Sequence, residues 1–316
     1  MRFFSKKRKT TRLMAVNLAS EGVYAASVRR PPSAMPELKF FNFYPKSDKP
    51  LPEQLEKIGK DVAGKDYRCS LMLLPGEYQL FSVDALNVPQ DELKTAMRWR
   101  LKDMLDYHID DATIDVLDVP GDKNAGGRGH SLYAVAARNQ LIAERQSLFF
   151  DAQLPLAIID IPDMAQRNIS ALLETEGRGL ALLSFDEYGG LLTVSYGGEL
   201  YLSRRLDVRL PQLLSEDVDK KIAAFERITL ELQRSLDHFD RLYNFIATAR
   251  LVLAPLGAVA AELQAYLASN LYLPVEILKL ESVLDLSKTP ALLDAGMQRA
   301  AFMTIGAALR QEETVL

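Results

Sequence analysis

The stretch Arg12–Arg30, RLMAVNLASEGVYAASVRR, decides the fold because it holds two apolar runs joined by a short polar turn. The runs are Leu13–Leu18 and Val23–Val28, and the turn between them is Ala19–Gly22. Two strand-length apolar runs on either side of a short turn with glycine predict a β-hairpin that presents its turn. In some nucleotide-binding folds such a turn holds a phosphate and a metal ion. The hairpin therefore raises the question of a phosphate loop.

A second copy of this pattern follows the glycine-containing segment 177–179. In LALLSFDEYGGLLTVSYGGELYLSRRL, residues 180–206, apolar runs alternate with turns as they do over residues 13–45. Both segments predict a three-stranded meander with a presented first turn, which is a repeat of architecture rather than of letters. Strand and helix patterns then alternate, as in RLVLAP followed by residues 257–269. Such alternation predicts an α/β protein.

Two halves of this kind predict the actin-like, or ribonuclease-H-like, duplicated α/β fold, in which two domains flank a cleft and the presented turns face each other across it. We expect a basic flexible tail over residues 1–11, a first domain over 12–176 and a second over 177–316. A small inserted α+β subdomain is expected in the first domain at about 76–140. The closing helix, about 295–309, is expected to return to the first domain.

The composition is that of a globular protein with a real core, since 48% of its 316 residues are hydrophobic and 25% are charged. The net charge is −4 and the basic residues beyond the N-terminus are dispersed, so we expect no nucleic-acid partner. The single cysteine, Cys69, lies in an apolar run, which favours a buried thiol in a reducing compartment. The N-terminal MRFFSKKRKTTR carries six Lys or Arg residues and predicts either a solvated tail or a weak contact with anionic lipid.

No pattern in the sequence indicates metal-dependent or nucleophilic catalysis. The three histidines, His108, His130 and His238, have no partners at metal-ligand spacing, and the lone cysteine has no second thiol. Neither a Walker-type run nor Gly-x-Ser-x-Gly is present. The glycine-rich GDKNAGGRGHS, residues 121–131, lies between two strand patterns and is typical of a hairpin loop rather than a phosphate cradle. We therefore predict no catalytic residues and no metal ligands.

Several segments, taken in order, resemble the PilM-type actin-like proteins of type IV pilus assembly, and most closely the MshI group of mannose-sensitive haemagglutinin (MSHA) pilus biogenesis. AVNLASEGVYAASV resembles the first phosphate loop of that family, and LLSFDEYGGLLTVSYGGELYLSRRL resembles the second. NVPQDELKTAMRWRLKDMLDYHIDDATIDV resembles its inserted subdomain. LVLAPLGAVAAELQAYLASNLYLPVEIL and AAFMTIGAALR resemble its adenosine-side turn and closing helix. The resemblance covers about residues 12–310 and implies the same duplicated fold.

In the first loop, the resemblance places two changed residues where a nucleotide would bind. Nucleotide-binding relatives carry an acid at the end of the strand, which steadies Mg²⁺, and a glycine two residues later, which lets backbone N–H groups approach the phosphates. These positions hold Asn17 and Ala19 here. Glu21 adds a negative side chain to the turn itself, where it would repel a phosphate.

The second loop and the adenosine-side turn have changed in the same direction. Ser184 stands at the position of the acid, Asp186 at that of the glycine, and only Gly257 of the paired glycines is left, after Pro255. Asp186 and the neighbouring Glu187 form the open alternative of a shifted metal site. We expect a degenerate cleft with no cofactor in use, ATP with Mg²⁺ being the disfavoured alternative. Its expected residues are Asn17, Ser20, Ser184, Asp186 and Gly257.

For partners, the resemblance implies the cytoplasmic tail of a PilN-like inner-membrane protein. In relatives that tail lies extended in a groove between the first subdomain and the inserted one. The groove is expected here between the strands over 69–87 and the helix over 89–107, in a cytoplasmic protein at the inner face of the inner membrane. Other pilus assembly platform proteins are further expected partners. The candidate lining residues are Leu73, Leu80, Phe81, Met97, Trp99 and Leu101.

Two other functions stay open at the level of sequence. One is an ATPase or small-molecule kinase of the actin superfamily, which tight Mg-ATP binding would distinguish. The other is the cytoplasmic domain of a type II secretion protein resembling GspL. The final residues RQEETVL contain no membrane span, which counts against that reading.

Overall fold

The computed structural model describes residues 12–62, 67–86, 88–89, 91–121 and 131–311. The predicted basic tail and the glycine-rich segment 122–130 lie outside these residues. Among the described helices, none combines the length and apolar character needed to cross a membrane.

The described residues form three β-sheets and eight α-helices. The strands are β1 (Arg12–Ala19), β2 (Gly22–Arg29), β3 (Glu37–Pro45), β4 (Tyr67–Met72), β5 (Tyr78–Asp84), β6 (Ala112–Val119), β7 (Ser131–Arg138), β8 (Leu156–Asp160), β9 (Gly179–Phe185), β10 (Gly190–Tyr196), β11 (Glu199–Leu206), β12 (Thr248–Leu253) and β13 (Val275–Ile277). The helices are α1 (Leu51–Asp61), α2 (Leu93–Leu101), α3 (Asn139–Asp151), α4 (Pro162–Leu173), α5 (Leu210–Leu213), α6 (Val218–Leu242), α7 (Val259–Asn270) and α8 (Ala295–Ala308).

Two five-stranded sheets with the same topology form the body of the molecule. Their strand orders are β3-β2-β1-β4-β8 and β11-β10-β9-β12-β13. In each sheet the three-stranded meander is antiparallel, and the two remaining strands extend it in parallel from the first strand of the meander. The architectural repeat predicted from the sequence is confirmed by this duplication.

The opening hairpin is held tight by a glycine. Ala19 pairs directly with Gly22, so only Ser20 and Glu21 form the turn between β1 and β2. Gly22 has φ +154°, and a Cβ there would lie 2.2 Å from the carbonyl oxygen of Tyr44. Any larger residue would therefore push β3 away from β2 and distort the turn.

The third sheet, ordered β5-β7-β6, forms the inserted subdomain with α2. Its side chains alternate between two faces, as the period of a strand requires. One face packs with α2 around Val83, Leu132 and Ala134. The other joins the core of the second domain through Tyr133 and Val119, and the Tyr133 hydroxyl donates to the Tyr201 carbonyl at 3.1 Å. The subdomain is thus anchored on the second domain as well as inserted in the first.

Helices α4 and α8 cross between the two large sheets. Buried residues of both helices share one core cluster with residues of both sheets, among them Ala15, Leu182, Ile169 and Ile305. The helices approach so closely that a Cβ on Gly306 would lie 2.3 Å from the Ala165 carbonyl oxygen. This shared layer joins the two domains.

Only the middle of the apolar face of helix α6 is buried. Apolar residues recur every three or four positions from Val218 to Leu242, and this stripe predicts burial from the first turn to the last, yet Val218, Ile222 and Leu242 are exposed. A helix of 25 residues is about 37 Å long, whereas the eight-residue strand β11 spans about 26 Å. The ends of the helix therefore extend beyond the sheet that buries its middle.

Candidate functional site

A cavity of about 360 Å³ lies between the two presented turns, at the position predicted for the degenerate nucleotide cleft. It is lined by the ends of β1 and β9, the turn after β9, the segment after β4 and one side of α8. The predicted residues Asn17, Ser184 and Asp186 line it together, and so does Pro255. Gly257, with φ +66°, lies just outside the lining.

The two turns touch across the mouth of the cleft. The Ser20 hydroxyl, on the first turn, lies 3.1 Å from Oε1 of Glu187 on the second and 3.0 Å from Oε2 of Glu21 beside it. Both turns therefore face each other as predicted, and carboxylates occupy the gap between them. Such exposed contacts add little stability individually.

Asp186 satisfies the backbone of its own loop. Its Oδ1 accepts hydrogen bonds from the backbone N–H groups of Tyr188 (2.8 Å) and Gly189 (2.9 Å). In a phosphate loop, N–H groups of this kind bind the ligand. Burial raises the pKa of the Asp186 carboxyl, against the opposing effects of Arg205 and of these two donors. These two backbone N–H groups are thus already satisfied by a carboxylate of the protein.

Ser184 belongs to the core rather than to the cleft chemistry. Its hydroxyl donates to Oε1 of Gln166 on α4 at 2.6 Å. The Gln166 amide in turn donates to the carbonyls of Leu182 (2.8 Å) and Leu191 (3.0 Å). This buried network fixes α4 on the second sheet and uses the one proton of the Ser184 hydroxyl within the protein.

The first loop is negatively charged and polar. Burial alone would raise the pKa of Glu21, but hydrogen bonds from its own backbone N–H, from the Tyr24 hydroxyl (2.8 Å) and from Ser20 lower it below the usual value. Glu21 therefore stays ionised at neutral pH. The Asn17 Oδ1 is buried without a hydrogen-bond partner and faces an acidic cavity.

These residues do not fit a magnesium-bound nucleotide. The lining holds three carboxylates, Glu21, Asp186 and Glu187, against one cation, Arg299. Carboxylates attract Mg²⁺, but they repel the phosphates that must accompany it. Among the described residues, no cluster of His, Cys, Asp and Glu has the arrangement of a metal site.

A second cavity, of about 840 Å³, lies on the other side of the molecule, where the first domain, the inserted subdomain and the second domain meet. Its walls are formed by the start of β4, the middle of β8, the end of β6, one side of α4 and the turn between β10 and β11. Four arginines line it: Arg30, Arg68, Arg167 and Arg310. We call it the arginine cavity.

One wall of the arginine cavity is a free strand edge. β6 is the outer strand of its sheet, and the consecutive residues Val116, Leu117 and Asp118 all line the cavity. Side chains of consecutive strand residues alternate between faces, so the strand borders the cavity with its backbone edge. The Val116 N–H donates to Oδ1 of Asp115 at 3.0 Å, which indicates that it points away from β7. β8, which contributes Ile158, is likewise the outer strand of the first sheet.

The six residues predicted to line a partner groove do not come together. Met97 and Leu101 are fully buried in the subdomain core, because they form the face of α2 that packs on the sheet. Leu73 is 2% exposed and lines the nucleotide cleft instead. None of the six lines the arginine cavity, and a role of theirs in partner binding stays a prediction.

The other three candidates lie on different surfaces. Leu80 is partly buried against the core of the second domain, and Phe81 against that of the subdomain. Trp99 is 75% exposed on α2. The expected groove between the strands 69–87 and the helix 89–107 is therefore filled by the packing of α2 on its sheet.

The arginine cavity was missed by sequence reasoning because its residues are scattered singly along the chain. Arg68 lies near the start of a buried strand, β4, and Arg167 interrupts the apolar face of a buried helix, α4. The one feature of the sequence that indicates such a site is a single arginine within an otherwise apolar segment. Only the fold brings these positions together.

The comparisons with known proteins concern the fold. No protein-family model matches the sequence, and no curated protein matches it. A solved structure, the PilM–PilN type IV pilus biogenesis complex, superposes with a TM-score of 0.73 at 17% identity, over 95% of this chain and 98% of that one. At this identity the likeness shows the fold alone. The predicted two-domain actin-like α/β fold is confirmed.

Two further solved structures superpose less closely on this chain. The cytoplasmic domain of EpsL, an inner-membrane component of the type II secretion system of Vibrio cholerae, has a TM-score of 0.43 at 14% identity, over 65% of this chain and 75% of that one. MreB5 of Spiroplasma citri, bound to ADP, has a TM-score of 0.43 at 9% identity, over 94% of this chain and 98% of that one.

Proposed function

We propose that this protein is a cytoplasmic scaffold of type IV pilus biogenesis, of the MSHA kind, that docks the tail of a PilN-like inner-membrane protein in the arginine cavity. The observation that carries the proposal is the free edge of β6 beside an open cavity of about 840 Å³. An extended peptide adds to such an edge through backbone hydrogen bonds, and the cavity walls select its side chains. The actin-like fold, shared with the PilM of a PilM–PilN complex, is consistent with this role.

The nucleotide cleft, in this proposal, is a structural remnant rather than an ATPase site. Support comes from the carboxylate of Asp186, which occupies its own loop, and from the excess of acidic residues in the lining. The protein then acts by holding partners, including other platform proteins, at the inner face of the inner membrane. Its basic N-terminus would add a weak electrostatic contact with anionic lipid.

The docking site is tested by fluorescence anisotropy with a labelled peptide that corresponds to the N-terminal tail of the proposed PilN-like partner. Val116→Pro removes the outward N–H that an added strand would use, and proline is tolerated at the edge of a sheet. Val116→Ala keeps that N–H and is the matched control. We expect saturable binding to the native chain and to Val116→Ala, and binding at least about tenfold weaker to Val116→Pro, since one backbone hydrogen bond and the strand register are lost.

Absence of saturable binding of that peptide at tens of micromolar would count against the scaffold function. Equal binding to both Val116 variants would move the docking site away from β6. The ATPase alternative is tested separately by calorimetry with Mg-ATP. We expect no saturable heat up to about 1 mM ATP, which corresponds to a binding free energy weaker than about 4 kcal/mol.

A further inference from the structure

Among the described residues, the lining of the arginine cavity holds more arginines than carboxylates. Its four arginines face two lining carboxylates, Asp118 and Glu199. Asp160, which is buried, pairs with the Arg310 guanidinium at 2.8 Å from the side of the first sheet. Cavities lined with one sign of charge attract and hold ligands of the other sign.

Three of the guanidinium groups have unused hydrogen-bonding capacity. The Nε atoms of Arg30, Arg167 and Arg310 are buried and have no hydrogen-bond partner among the described residues. Among the described residues, the Arg167 guanidinium donates one hydrogen bond, through Nη1 to the Gly198 carbonyl at 2.9 Å, and its other N–H groups have no acceptor there. A buried donor without an acceptor costs about 1–3 kcal/mol, more when it is charged. An acceptor entering the cavity would remove that cost.

Arg30 is the most unusual member of the set. It follows β2, is partly buried, and forms no hydrogen bond or ion pair within the described part of the chain. Burial lowers the pKa of its guanidinium, and the neighbouring charge of Arg167 lowers it further. Arginine remains protonated in either case, so two like charges lie near each other, and neither forms an ion pair with a described residue. This arrangement destabilises the folded protein unless an anion binds between them.

We propose that the arginine cavity is a receptor for a carboxylate, and that the segment docked beside β6 carries an Asp or Glu side chain that pairs with Arg30 and Arg167. The part of this proposal that concerns the docked segment rests on the proposed scaffold function. Guanidinium groups recognise carboxylates through paired, charge-assisted hydrogen bonds. The free edge of β6 supplies the backbone contacts, and the arginines supply the selection for an acidic residue.

The anion site is tested first with sulfate, titrated by calorimetry into the full chain at constant ionic strength against chloride. We expect saturable binding that is about tenfold weaker or more in Arg30→Gln, because a charged hydrogen-bonding partner is lost. Arg241→Gln, which removes an exposed arginine that bonds only its own helix at the Asp237 carbonyl, is the control and should match the native chain. Equal sulfate binding in Arg30→Gln and the native chain would overturn the proposal.

Thermal unfolding separates this role from a structural one. Without ligand, Arg30→Gln should unfold at the same temperature as the native chain or higher, since the repulsion from Arg167 is relieved. A lower unfolding temperature would mean that Arg30 holds the fold together, and would contradict the proposal.

The carboxylate is tested with random dodecapeptides displayed on phage, selected on the immobilised full chain and counter-selected on Arg30→Gln. We expect the retained peptides to share an Asp or Glu at a fixed position. Changing that acidic residue to its amide should weaken binding to the native chain about tenfold or more. The same change should weaken binding to Arg30→Gln by less than about twofold, because the two residues act as a coupled pair.

Retained peptides without a shared acidic residue would overturn the proposal. Saturable sulfate binding with no peptide retained would leave the anion site standing and overturn the peptide half of the proposal, whereas the scaffold function is judged by the PilN-like peptide.

Discussion

The Asp186 side chain satisfies backbone donors of its own loop. Its Oδ1 accepts the two N–H groups, of Tyr188 and Gly189, that a phosphate loop would direct at its ligand. Burial raises the pKa of the carboxyl. For an acid whose pKa is higher in the folded state, ionisation opposes folding, so this group costs stability at neutral pH and ceases to do so as the pH falls through its folded pKa.

Asp186→Ala is expected to lower the free energy of unfolding by about 1–2 kcal/mol, because two backbone donors lose a charged acceptor in a partly exposed turn. Asp186→Asn keeps the accepting oxygen without the charge and should be at least as stable as the native chain at pH 7. The advantage of Asn should shrink as the pH is lowered towards 4. Urea unfolding of the three proteins at several pH values measures both effects, and equal losses in Ala and Asn would contradict the capping role.

Glu37 gives the opposite dependence on pH. Its carboxylate pairs with Lys288 (2.7 Å), Lys39 (2.6 Å) and Arg29 (2.6 Å), and these partners lower its pKa to about 2. A lowered pKa means that the group stabilises the fold above its unfolded pKa, near 4.5, and that this contribution is lost as the pH falls towards 2. The native chain should therefore be more stable than Glu37→Gln at pH 7, and the two should converge between about pH 5 and 2 in urea unfolding.

At the scale of elements, the sequence predicts where hairpins and helices occur, but it does not predict which elements pack against each other in the fold. The β1–β2 hairpin follows from two apolar runs and a glycine turn, and the buried setting of Cys69 follows from its apolar run; burial raises the pKa of that thiol to about 12. The nucleotide cleft was predictable because the repeat places both turns at the same edge. The arginine cavity was not, since Arg30 and Arg310 are 280 positions apart in the chain and meet only through the fold.

Helix α2 illustrates the same limit. Its periodicity identifies an apolar face but does not say whether a partner or the protein itself covers that face. The structure buries Met97 completely and leaves Trp99 75% exposed. Met97→Ala should cost about 2–5 kcal/mol in urea unfolding followed by circular dichroism, because a buried side chain leaves a cavity. Trp99→Ala should change stability by less than about 0.5 kcal/mol, as surface changes do.

Comparable losses in the Met97 and Trp99 variants would show that α2 packs through both faces. Trp99 is also the only tryptophan, so its emission reports one site. We expect the emission of an exposed indole, strongly quenched by acrylamide and little changed on unfolding. A docked partner that covers α2 would protect Trp99 from the quencher, whereas a peptide confined to the arginine cavity would not.

For the whole molecule, the decisive contact is the crossing of α4 and α8, because it joins the two sheets into one body. Gly306 allows the crossing: its carbonyl accepts the Asn168 amide at 2.9 Å, and a Cβ there would lie 2.3 Å from the Ala165 carbonyl oxygen. Alanine favours a helix over glycine by about 1 kcal/mol, so a helix in isolation would gain from Gly306→Ala. In the folded protein the helices must separate, and overpacking of this kind typically costs about 1–3 kcal/mol.

Gly306→Ala should therefore lower stability, while Gly296→Ala in the first turn of the same helix should change it much less. The nearest atom there is Oδ1 of Asp294 at 3.1 Å, the end of a side chain, which needs to shift by only a few tenths of an ångström while it keeps its capping bond from the Met297 N–H. Urea unfolding of both variants measures the difference. Because α4 also forms a wall of the arginine cavity through Arg167, a shifted crossing should weaken sulfate binding in Gly306→Ala as well. Loss of stability with unchanged sulfate affinity would mean that the cavity is built by the β-sheets alone and does not depend on how the two domains are joined.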